Sequence, residues 1–190
     1  EGSKSFSCVK KLIYNNPELA HKILGKLTDA VADYLSAQLE AGADAVQIFD
    51  TWAGVLPDDK FDRWVIQPTA KIIKAIRAVH PGFPVIGFPK GVGGNILDFV
   101  EKTDVTAVSL DTSASLSWAA QNIQPKAVVQ GNLDPILLVA GGKAMVDRIH
   151  QILETLSGGP HIFNLGHGII PQTPPENVAL LAETIRNWKK

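Results

Sequence analysis

The chain has 190 residues, of which 45% are hydrophobic, enough to bury a substantial core and unlike the composition of a disordered, collagenous or coiled-coil protein. Eighteen Lys and Arg against 19 Asp and Glu leave a net charge of -1, which excludes the broad basic field that nucleic acid or an anionic membrane surface would need. The single Cys8 excludes an internal disulfide framework and any metal site built from several thiolates of this chain, as suits a reducing cytoplasm.

No window reaches the roughly 18 consecutive apolar residues of a membrane span, so a soluble globular protein is expected. The opening EGSKSFSCVKK lacks the apolar core of a signal peptide and does not begin with Met, and it reads as a cut end.

In chain order, the first predicted element is a helix over Asn16–Glu40. Its apolar positions Leu19, Ile23, Leu24, Leu27, Ala30, Val31, Tyr34 and Leu35 form a stripe expected to pack on a sheet. A strand follows at Ala45–Phe49, then a helix at Phe61–Val79, a strand at Pro84–Phe88 and a helix at Ile96–Lys102. The same alternation continues with strands at Thr106–Leu110, Lys126–Gln130 and His161–Leu165 and helices at Ser115–Gln121, Lys143–Leu156 and Glu176–Trp188.

With no linker or low-complexity tract to divide it, this alternation predicts one α/β domain over residues 1–190, built from βα units around a parallel sheet. No GxGxxG or GxxxxGK[ST] follows any strand, which removes the main support for a dinucleotide-binding or P-loop fold. A (β/α)8 TIM barrel fits better. Such barrels have eight strands and typically about 250 residues, so five units are expected here and about three N-terminal units are missing. A five-stranded sheet would also leave two unpaired edges, which a closed barrel would not have.

Barrel enzymes place their chemistry on the loops after the strands. Here those loops carry Asp50-Thr51-Trp52-Ala53-Gly54, Pro89-Lys90-Gly91, Asp111-Thr112-Ser113, Gly131-Asn132-Leu133-Asp134-Pro135 and Gly166-His167-Gly168. His167 lies between two glycines after an apolar run, where a tight turn can present its imidazole to a ligand; the alternative is a histidine bonded to a neighbouring loop. Thr51 can both donate to and accept from a bound polar group, and can equally cap the next turn. Asp134 followed by Pro135 has the pattern of a helix N-cap and first-turn pair, with the helix beginning near Ile136. Lys90 could neutralise an anionic substrate or simply be solvated. Asp50 and Asp111 could orient basic neighbours or receive a substrate N–H.

Three of these segments together are specific. Gln47-Ile48-Phe49-Asp50-Thr51-Trp52-Ala53-Gly54, Gln130-Gly131-Asn132-Leu133-Asp134-Pro135 and Asn164-Leu165-Gly166-His167-Gly168, in this order and spacing, resemble the C-terminal half of the uroporphyrinogen decarboxylase family. The opening Glu1-Gly2 resembles the end of that family's strand-to-loop segment before a Lys-rich helix.

The resemblance implies a cofactor-free carboxy-lyase of heme and tetrapyrrole biosynthesis, a cytoplasmic homodimer with no metal and no nucleic-acid or membrane partner. Its substrate would be uroporphyrinogen III, whose four acetate side chains lose carbon dioxide to give coproporphyrinogen III. It also implies that Thr51 and His167 bind substrate carboxylates; Asp50 and Lys90, placed by their loops alone, are the weaker candidates for substrate binding. The family's RQAGR segment, its aspartate facing the pyrrole N–H groups and its tyrosine belong to the N-terminal half. No catalytic residue is therefore expected within this chain, and isolated activity is not expected. Two rival readings are a zinc- and cobalamin-dependent methyltransferase of the same superfamily and a non-catalytic half-barrel module.

Overall fold

In the computed structural model, residues 5–189 are described, and the chain divides into two compact units, Glu1–Val105 and Thr106–Lys190. The Glu1-Gly2 resemblance lies outside the described residues.

The first unit opens with helix α1 (Ser7–Asn15), which carries Lys10 and Lys11 where the resemblance implied a Lys-rich helix, although apolar periodicity alone had not marked it. Pro17 accounts for the break after it, because a proline inside a helix lacks an N–H and crowds the preceding turn, whereas at the first helical position it is tolerated. Asn16 accordingly becomes an N-cap, its Oδ1 accepting from the Leu19 amide at 3.1 Å, and helix α2 runs over Pro17–Glu40.

The expected apolar stripe of α2 is buried only in part, at Leu35 and, less fully, at Leu24. Ala20, Thr28, Ala32, Leu35 and Leu39 are buried, whereas Leu27 and Tyr34 of the stripe are 57% and 65% exposed, and Leu19, Ile23 and Val31 also lie open. The helix packs on α4, and Leu19, Ile23, Leu27, Val31 and Tyr34 keep a third or more of their surface exposed.

Strand β1 (Val46–Asp50) pairs in parallel with β2 (Val85–Pro89), in a register from Val46 opposite Val85 to Asp50 opposite Pro89. Among the described residues β1 has no second strand partner. Between these strands, α3 (Asp58–Phe61) passes through a π turn at Asp62–Ile66 into α4 (Gln67–Val79), where the sequence predicted a single helix from Phe61. Pro68 explains the π turn. It cannot donate to the carbonyl four residues back, and the wider turn, with the Gln67 amide bonded to the Asp62 carbonyl, takes up the misfit. Helix α5 (Ile96–Thr103) follows β2, and the Phe99 ring lies so close to Gly87 that a Cβ there would fall 2.6 Å from it.

In the second unit β3 (Ala107–Ser109), β4 (Val128–Gln130) and β5 (His161–Ile162) are likewise parallel, with Ala107 opposite Val128 and Val129 opposite His161. Helix α6 (Leu116–Asn122) follows β3 and starts at Ser115, whose hydroxyl accepts from the Trp118 amide. After β4 come α7 (Pro135–Ala140) and α8 (Gly142–Leu156), and after β5 comes α9 (Pro175–Asn187). Met145, Ile149, Ile152 and Leu156 of α8, spaced as one helical face, are fully buried.

Strand β5 is shorter than the predicted His161–Leu165. Beyond Ile162 the Asn164 side chain takes up the Leu165 amide at 2.8 Å, and pairing resumes only as a single bridge between Leu133 and Leu165.

Candidate active site

The carboxyl end of the β1–β2 pair brings Asp50, Thr51 and Lys90 together. Asp50 is the last residue of β1, and its carboxylate accepts the Trp52 amide at 3.3 Å, which folds the chain back immediately after Thr51. The Lys90 amide donates to the Asp50 carbonyl at 3.0 Å, and the Lys90 carbonyl accepts from Gly54 at 3.0 Å. Two loops that begin on neighbouring strands are thereby bonded to each other through backbone. Thr51 and Lys90 are half-buried, and Trp52 beside them is 58% exposed.

Asp50 also lines a cavity of about 390 Å³ whose walls are mainly apolar, among them Phe6, Leu24, Trp52 and Trp64. Phe6 and Trp52 meet there with ring centres 4.9 Å apart. Burial beside these groups raises the Asp50 carboxyl above its ordinary range, opposed by hydrogen bonds from the Trp52 and Ala53 amides.

The second unit holds His167, which follows β5 and is exposed. Its position depends on contacts of the preceding glycine. A Cβ on Gly166 would fall 2.7 Å from the Thr112 amide nitrogen, so the loop lies directly on the Asp111–Thr112 backbone, and the Gly166 amide donates to the Leu133 carbonyl at 2.8 Å.

The Asp111 loop beneath is itself ordered from two directions. Asp111 Oδ1 accepts from the Ser113 amide at 2.8 Å and from its hydroxyl at 2.5 Å. Asn132 Nδ2 donates to the Asp111 carbonyl at 2.7 Å and the Ala114 carbonyl at 3.1 Å.

Asn132 and His161 were not singled out by sequence reasoning. Asn132 is 2% exposed, and His161 Nε2 sits 3.0 Å from the Gly131 carbonyl, which assigns it the proton on that nitrogen. Burial lowers the His161 pKa, with the Gly131 hydrogen bond opposing. The available signal was a polar asparagine two residues past the end of a buried strand, in the loop between β4 and α7. Asp134 matches its structural reading, since its carboxylate accepts from the Ile136 amide at 2.8 Å as the N-cap of α7. Among the described residues no cluster of three His, Cys, Asp or Glu side chains is arranged to hold a metal ion, and no helix is long and apolar enough to cross a membrane.

The family model of uroporphyrinogen decarboxylase (URO-D) matches residues 1–188. The chain belongs to the uroporphyrinogen decarboxylase family. Among curated members, the uroporphyrinogen decarboxylase of Rhodospirillum rubrum is 53% identical over 97% of this chain and 53% of its own length. That of Rhizorhabdus wittichii is 46% identical over 98% of this chain and 54% of its own length. The chain thus spans about half the length of the uroporphyrinogen decarboxylases it matches. A solved methyltransferase from Methanosarcina mazei has the same fold, with a TM-score of 0.79 and 24% identity, covering 93% of this chain and 51% of that one. The architecture is α/β, five βα units of a (β/α)8 TIM barrel.

Proposed function

We propose that this chain is the carboxylate-holding half of a uroporphyrinogen decarboxylase, converting uroporphyrinogen III to coproporphyrinogen III without a cofactor. The family match over residues 1–188, together with relatives at 53% and 46% identity that bear this name, carries the reading.

The chemistry needs an acid more than it needs a metal or organic group. Protonation of a pyrrole carbon makes the ring a cationic electron sink. The electrons of the bond to the leaving carbon dioxide flow into that ring, and reprotonation of the exocyclic carbon leaves a methyl group. The enzyme must supply the proton, stabilise the cationic ring and hold a substrate with eight carboxylates. Thr51 and His167 take two of the carboxylate contacts, the threonine through its hydroxyl and the histidine through a ring N–H. Lys90 adds positive charge beside Thr51. Asp50 shapes the turn that presents Thr51.

The groups that protonate the substrate and face its pyrrole nitrogens belong to the other half of the barrel. The same half would cover the open stripe of α2 and pair with the free edge of β1. Residues 1–190 are then part of one barrel domain, working as a homodimer in the cytoplasm.

The test is anaerobic decarboxylation of uroporphyrinogen III by this chain alone and by this chain fused to the half of the Rhodospirillum rubrum protein that lies outside the match. Coproporphyrinogen from the fusion alone is expected. Its absence from both would return the chain to the non-catalytic half-barrel reading.

A further inference from the structure

The Asn132 carboxamide makes two bonds to a loop it does not belong to. Its Nδ2 spans the Asp111–Ala114 turn, donating to the carbonyl at each end, at 2.7 and 3.1 Å. The amide is therefore oriented without ambiguity, because only the NH2 end can satisfy two carbonyls. Its Oδ1 is buried with no hydrogen-bond partner among the described residues. A buried acceptor left in that condition costs free energy, so the position is retained against its own solvation preference.

The braced turn is the surface on which Gly166 rests. The space for a Cβ at Gly166 is filled by Thr112 and the Asp111 carbonyl carbon, at 2.7 and 3.1 Å. The Gly166 amide is fixed by Leu133, which directly follows Asn132, and the Leu133 amide donates to the Asn164 carbonyl at 3.1 Å. One short segment, Asn132-Leu133, thus holds the Asp111 turn with a side chain and the Gly166 loop with its backbone. His167 is the next residue along.

We infer that Asn132 is a positioning residue for His167, holding the Asp111–Ala114 turn as the fixed support that sets where the imidazole is presented. The inference rests on the reading of His167 as a carboxylate ligand for its effect on the reaction, and on contacts of this chain alone for its effect on the histidine. Replacing the carboxamide removes the tie between the two ends of the turn and leaves the Asp111 carbonyl only its bond from the Ala114 amide, and the Gly166 backbone loses the rigid surface against which it lies.

Histidine-selective NMR of the Asn132→Ala chain is expected to shift or broaden the His167 ring signal while those of His21, His80 and His150 hold. A folded Asn132→Ala chain with an unmoved His167 signal would overturn the inference. Native-state hydrogen exchange on the unmutated chain serves even if the variant fails to fold. The Ala114 amide, which donates to the Asp111 carbonyl at 3.2 Å, and the Gly166 amide should open together as urea is raised. Independent opening would also overturn it. In the active fusion, Asn132→Ala is expected to raise KM for uroporphyrinogen III roughly tenfold with a smaller effect on kcat, as loss of a placed carboxylate contact requires. A fall in kcat at unchanged KM contradicts the inference. Inactivity of the unmutated fusion would instead remove the decarboxylase reading and leave the NMR and exchange results to decide.

Discussion

Gly54 lies so close to the Gly91 carbonyl group that a side chain at Gly54 would have no room. The contact draws the loops after β1 and β2 together and is reinforced by the Gly54 amide bond to the Lys90 carbonyl at 3.0 Å. Thr51 and Lys90, which begin in different βα units, thereby become neighbours of one short stretch of paired backbone.

Gly54→Ala should therefore do more than an ordinary surface substitution. The obstructing atoms are backbone, which cannot swing aside, so a loss of about 1–3 kcal/mol is expected on urea unfolding. In the fusion, KM should rise as well, since Thr51 and Lys90 must separate. A loss of stability without a change in KM would dissociate the loop contact from substrate binding.

The raised carboxyl of Asp50 makes a pH prediction. A group whose folded pKa lies above its unfolded value favours the folded state when protonated. Its contribution is fully present below the unfolded value of about 3.9 and is lost as pH rises through the higher folded value. Asp50→Asn mimics the protonated form and can still accept the Trp52 amide. The variant should lack this loss, so the stability difference between variant and parent grows in favour of the variant between pH 3 and neutrality.

His161 has the opposite window. Burial depresses its folded pKa, so the neutral ring is favoured, and its contribution is present above the unfolded value of about 6.5 and declines as pH falls toward the folded one. His161→Gln, with a side-chain amide in reach of the Gly131 carbonyl, should flatten the fall in stability between pH 8 and pH 5. Denaturation midpoints at the two values measure it; an unchanged slope would assign the acid sensitivity to other groups.

The open stripe of α2 separates stability from assembly. Ile23 and Leu27 are 46% and 57% exposed, so Ile23→Glu with Leu27→Glu should change the stability of the isolated chain by no more than about 0.5 kcal/mol each. In the fusion the same pair should sharply reduce activity, because the charges would be buried against the other half of the barrel without partners. Retained activity would show that this face stays in water.

The elements that repeat a strong local pattern were legible in advance. The buried face of α8 follows from the spacing of Met145, Ile149, Ile152 and Leu156, and Asp134-Pro135 announced both the cap and the start of α7. Two features were not legible from local pattern alone. Two turns of apolar spacing in α1 are too few to stand out without the resemblance, and β5 ends at Ile162 although its apolar run continues to Leu165. The α2 stripe was correctly seen as apolar, but periodicity cannot report which of two apolar faces finds a partner. The loops that carry Thr51, Lys90 and His167 were legible because they follow strands. The bracing by Asn132 was not, since it connects positions 18 and 21 residues apart.

The π turn ahead of Pro68 bears on how this helix can change length. A π turn accommodates one more residue than an α turn while leaving the helix on either side in phase. Deleting a single residue between Asp62 and Ile66 would let the segment close into a regular helix with both flanking faces unrotated. It would also return Pro68 to a position where its ring meets a carbonyl four residues back. A shorter helix at this point is thus open to the lineage only if the proline is replaced as well, so the two changes should be found together or not at all.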